Sequence, residues 1–120
     1  MKKLIFSAAL VCLAMACTSE NIEEDFPACD TSDMRFSTDI TEIFSVSCFR
    51  CHDSDNAGSA GEGIDLSDFS VVKSYVENGR LMEAIEQNGN ASSMPLSANK
   101  MDQCNIDKIK SWINEGAENI

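Results

Sequence analysis

The sequence predicts an all-α domain, and three observations predict it. Apolar residues recur at helical spacing in four stretches of the chain, which places them along one face of each. Signals that open and close helices bracket those stretches. No alternation of apolar and polar residues competes as a strand, and no internal repeat divides the chain.

The elements follow in order. Lys2 and Lys3 form a charged start, and Leu4 to Met15 is mostly apolar and ends in small residues before Cys17. That run is too short to span a bilayer, so residues 1–16 read as a removable export signal. Leu13-Ala-Met-Ala-Cys17 fits a lipoprotein signal, in which Cys17 takes lipid and becomes the first mature residue. Ordinary cleavage after Ala-Met-Ala satisfies the small-x-small rule equally. Residues 17–28 are acidic and aperiodic and read as a tether, leaving residues 29–120 as one domain.

Asp39-Ile-Thr-Glu42 reads as a capping box opening a helix with Ile40, Ile43, Phe44 and Ser47 on one face. Asp53 to Gly63 is a glycine-rich loop. Ser67 is the expected cap of a second helix bearing Phe69, Val72 and Val76, which stops at Asn78-Gly79. Leu81, Ala84 and Ile85 mark a third, ending at Asn88-Gly89, and a polar stretch from Asn90 to Lys100 follows. The last helix begins at or just before Asn105, sets Ile106, Ile109 and Ile113 on one stripe beside Trp112, and closes at Gly116.

The densest chemistry is Cys48-Phe-Arg-Cys51-His52, a C-x-x-C-H motif holding the only histidine of the chain. Two thiols at this spacing on a turn reach the two vinyl groups of one porphyrin edge. The next residue then supplies an imidazole beneath the iron, so the motif predicts one covalent haem c per chain. A zinc half-site needs two more Cys or His ligands at workable spacing, and a thioredoxin-like pair needs a βαβ context. Bis-histidine ligation within the chain is excluded. Met94, before Pro95 in the loop after the third helix, is the expected second axial ligand; Met101 is its rival.

Cysteine usage divides along the same lines. Cys12 lies in the signal, Cys17 takes lipid, and Cys48 and Cys51 take haem. Cys29 and Cys104 remain, and an exported chain permits a disulfide between them, although each can also be a free buried thiol. Losing the signal moves the formal charge from −11 to about −13. A surface so acidic excludes nucleic-acid binding; a basic partner fits it, as does a plain solvated coat.

Cys48-x-x-Cys51-His52, the glycine-rich loop, Met94-Pro95 and the Trp112-bearing last helix together resemble a class I monohaem cytochrome c domain over residues 29–120. Gly63-Ile-Asp-Leu66, Asn78-Gly-Arg-Leu81, Ser93-Met-Pro95, Ile109-Lys-Ser-Trp-Ile113 and Gly116-Ala117 are similar to small cytochrome c lipoproteins of Bacteroidota-like bacteria. The resemblance implies small helices around one covalently attached haem, with the first and last helices crossing. It also implies one-electron transfer between redox protein partners, not enzymatic turnover. A monomer is expected, exported and lipid-anchored on the periplasmic side or at the cell surface. The alternative is a haem enzyme or sensor, peroxidase-like or gas-binding, which needs an open axial position. The Cys29/Cys104 pair departs from the simplest class I pattern.

Overall fold

The structure, a computed structural model, describes residues 28–120. The export signal at 1–16, Cys17 and all but the end of the 17–28 tether lie outside the described residues. Those described residues form helices and no strand. A π-helical turn at Phe36–Ile40 runs into α1 (Thr41–Ser47); α2 (Phe49–His52), α3 (Phe69–Glu77), α4 (Arg80–Glu86) and α5 (Gln103–Asn114) follow.

The first helical segment starts earlier than the expected capping box. Arg35 is extended and precedes the helical turn, so Asp39 sits inside it rather than at its cap. The Asp39 carboxylate reaches back to accept the Arg35 N–H and the Thr38 hydroxyl, both at 2.9 Å. This satisfies an N–H that the first turn leaves without a helical acceptor. Ile40 N–H reaches the Arg35 carbonyl five residues back at 3.1 Å, the widened step of a π turn. Starting at Phe36 places that ring in the core.

α3 is capped by Asp68, which accepts from Ser70 N–H at 2.8 Å. The neighbouring Ser67, expected as the cap, donates to Asp65 instead. The stop at Asn78-Gly79 stands, with Gly79 in the left-handed region at φ 78°. α4 ends at left-handed Gln87, one residue before the expected Asn88-Gly89. Asp102 caps α5 by accepting from Cys104 N–H at 2.9 Å.

The expected apolar faces meet. Ile40, Phe44, Val72, Ile106 and Ile109 are fully buried, with Trp112 almost so. Each such side chain contributes about 1.5–3 kcal/mol relative to exposure. Phe36 packs on Trp112 with ring centroids 5.5 Å apart and on Phe69 at 4.9 Å, joining the first helical turn, α3 and α5. Ser37 N–H donates to the Ile120 carbonyl at 2.9 Å, and Trp112 Nε1–H to the Glu118 carbonyl at 3.0 Å. Lys73 on α3 caps the far end of α5 through the Gly116 carbonyl at 2.8 Å. Cys29 and Cys104 form a disulfide with Cα atoms 5.6 Å apart, which ties the start of the domain to the first turn of α5.

Candidate haem site

The C-x-x-C-H motif sits where two short helices meet. Cys48 departs from helical geometry at φ −125° and ψ −41°, yet its N–H still donates to the Phe44 carbonyl at 2.7 Å. Its own carbonyl then accepts from Cys51 N–H at 3.1 Å and His52 N–H at 2.9 Å. One tight turn therefore presents both thiols and the imidazole.

His52 is held from its other side. Its Nδ1 lies 3.0 Å from the Ile64 carbonyl oxygen. A carbonyl only accepts, so Nδ1 carries the proton that faces it and Nε2 is the ring nitrogen left for a ligand. Leu66 N–H returns to the His52 carbonyl at 2.7 Å, closing the loop onto α2. Gly61 makes this closure possible. A Cβ there would collide with the Cys51 carbonyl, stand 2.9 Å from His52 Nδ1, and lie 3.0 Å from Ala57 Cα. Only glycine fits. Sequence reading identified a glycine-rich loop at Asp53 to Gly63 without singling out Gly61, and the carbonyl that holds the imidazole belongs to Ile64, one residue beyond that loop.

Cys48, Cys51, His52 and Met94 all line one cavity of about 720 Å³. That volume falls within the range of about 300–1,000 Å³ usual for cofactor and ligand sites. Ile64, Leu66, Leu81 and Ile85 supply apolar wall. Phe44 does not line the cavity; it is fully buried in the core, its ring centroid 6.5 Å from Phe36 and 6.4 Å from Phe49. Tyr75 and Leu96 line the cavity and were not anticipated. The stretch from Ala91 to Asn99, aperiodic in sequence, supplies much of one side. It is pinned at Met94, whose N–H donates to the Ala84 carbonyl at 3.0 Å and whose carbonyl accepts from Gln87 Nε2 at 3.3 Å. Met101 also lines the cavity, more deeply buried than Met94. The structure therefore brings both thioether candidates to the site.

The thiols are set up unlike a dithiol-exchange pair. Burial pushes the Cys48 thiol up to about 12, so it is protonated at neutral pH. Exchange motifs work by the opposite shift, which exposes a thiolate. Zinc is also poorly served: among the described residues, no three of His, Cys, Asp and Glu converge as ligands. A smaller cleft of about 190 Å³ is lined by Asp39, Glu42, Ile43 and Val46 on one side and by Asn105 and Lys108 of α5 on the other.

No protein-family model, no curated protein and no solved structure matches the chain.

Proposed function

We propose that this chain is a c-type haem protein that transfers single electrons. More narrowly, it is a small class I cytochrome c, exported and tethered to a bacterial membrane through lipid on Cys17, shuttling electrons between protein partners. The observation that carries the reading is the lining of one cavity by Cys48, Cys51, His52 and Met94, although Met94 lies on a separate loop far along the chain.

The residues present fit the group in number and kind. Cys48 and Cys51 would hold the porphyrin by thioether bonds, and His52 and Met94 would supply the donors that hold its iron. Bound haem supplies an iron centre that cycles between two oxidation states one electron apart. The chain's own groups do the rest. The Ile64 carbonyl holds the proton on Nδ1 and leaves Nε2 for the metal. Met94 sulfur would be the chain's second donor to the iron, in place of a small ligand. The apolar wall of Ile64, Leu66, Leu81 and Ile85 would favour the less highly charged state of a bound iron and so raise its potential.

The test is expression in a bacterium with haem-attachment machinery. The expected product carries one haem that survives denaturation and has a low-spin spectrum with a methionine–iron charge-transfer band. A colourless product, or haem lost on denaturation, overturns the reading. A high-spin spectrum assigns the chain to the open-iron enzyme or sensor class instead.

A further inference from the structure

The chain holds two Asn-Gly pairs, Asn78-Gly79 and Asn88-Gly89, each just past the end of a helix. Asparagine before glycine readily loses its side-chain amide, because glycine has no Cβ to hinder its own nitrogen. In that reaction the backbone nitrogen after asparagine gives up its proton and attacks the side-chain carbonyl carbon. A C–N bond closes a five-membered succinimide, and the side-chain amide nitrogen departs as ammonia. Water then opens the ring at either carbonyl, leaving aspartate or isoaspartate. The sum is amide plus water giving acid plus ammonia, with nothing oxidised or reduced.

The two pairs are alike in sequence and are held differently. Gly79 N–H donates to the Val76 carbonyl at 3.0 Å, and Asn78 Oδ1 accepts the Arg80 N–H at 3.0 Å. The attacking nitrogen and the carbonyl under attack are both engaged, so ring closure must disturb both bonds. Asn88 and Gly89 are exposed. Among the hydrogen bonds of the described residues, none uses the Gly89 N–H and none ends on Asn88 Oδ1. The side-chain bond that Asn88 does make runs from Nδ2, the departing nitrogen, to the Glu86 carboxylate at 2.8 Å. Packing nonetheless keeps glycine at 89: a Cβ there would stand 2.5–2.8 Å from three atoms of the Glu83 side chain.

We infer that Asn88 is a site of spontaneous deamidation in the folded protein, with water as the only co-reactant, while Asn78 is protected. The inference stands apart from the haem reading. Its consequence falls on the loop that follows α4. The product adds a negative charge two residues from Glu86, at the end of α4 where the helix dipole is already negative. Isoaspartate also lengthens the backbone by one carbon just before Ala91, where the cavity-lining stretch begins. Aged copies therefore hold that stretch less firmly.

The experiment warms the purified full chain at mildly alkaline pH, with a parallel sample unfolded in guanidinium chloride. Peptide mapping by mass spectrometry follows the amide-to-acid mass change at each asparagine, and an isoaspartate methyltransferase labels the isoaspartate. Unfolded, the two pairs should react at comparable rates. Folded, Asn88 should react several-fold faster than Asn78, and Asn88→Gln should remove the folded-state product. Equal rates in the folded protein, a faster Asn78, or reaction only after unfolding overturns the inference. The acidic form, separated by anion exchange, should unfold at a lower denaturant concentration than fresh protein. An unchanged midpoint overturns the stated effect on the loop.

Discussion

Gly61→Ala offers the sharpest test of how the chain holds its histidine. Two of the three atoms its Cβ would meet, the Cys51 carbonyl oxygen and Ala57 Cα, are backbone atoms and cannot swing aside. The loop must therefore lift from α2, which draws the Ile64 carbonyl away from His52 Nδ1. Overpacking of this kind costs about 1–3 kcal/mol. The lost hydrogen bond adds about 0.5–1.5 kcal/mol. For a domain of this size each kcal/mol moves the melting temperature by about 4–8 °C, so a fall on the order of 10–20 °C is expected. Gly58, three residues earlier in the same loop, is the internal control. A Cβ there meets nothing within 4 Å, so Gly58→Ala should be neutral or stabilising by up to about 1 kcal/mol. Thermal melts of both variants, followed by circular dichroism on the haem-loaded protein, make the comparison. If Gly61→Ala melts within a few degrees of Gly58→Ala, the close approach of this loop to His52 is not as described.

Met94→Ala should leave haem attached, abolish the methionine–iron band and lower the potential; a band that survives in Met94→Ala and vanishes in Met101→Ala assigns the ligand to Met101. Replacing Cys29 and Cys104 together by serine opens a bridge across a sequence separation of 75 residues. In the chain-entropy model that costs about 4 kcal/mol, read as a lower denaturation midpoint that added reductant no longer shifts. Asp39 is held below its ordinary value mainly by the Arg35 N–H, with the Thr38 hydroxyl assisting. Its stabilisation is thus present above the unfolded value of about 3.9 and is lost as pH falls through the lower folded value. Asp39→Asn should remove that acid-side slope, measured by urea denaturation between about pH 2 and 5.

The periodic parts of this fold were legible because helical spacing follows directly from burial. Ile106, Ile109 and Trp112 fall on the buried face of α5 where their spacing puts them, and Leu81 and Ile85 do the same on α4. Helix starts were less legible where neighbouring residues offer the same chemistry. Ser67 and Asp68 are both good caps, and Asp65 decides between them by taking Ser67 as its own partner. Phe36 was missed as a core residue because the π step that buries it follows no apolar spacing. At the candidate site, the two thiols and His52 were marked by their own spacing. Gly61 was not, since its necessity comes from a carbonyl and an imidazole about ten residues back, a closeness that exists only after folding.

The Cys29–Cys104 bond also sets a path for mechanical load. A pull on the chain before Cys29, such as a lipid tether would transmit, passes through sulfur into the first turn of α5. There it meets a helix held at its other end by Lys73 and along its length by Trp112, Ile106 and Ile109. Without the bond the same pull would reach Met34 and Phe36 first and peel them from the core one residue at a time. The bond turns unzipping into shear, which must strain many contacts at once, and the cavity behind Met101 is shielded from such a pull.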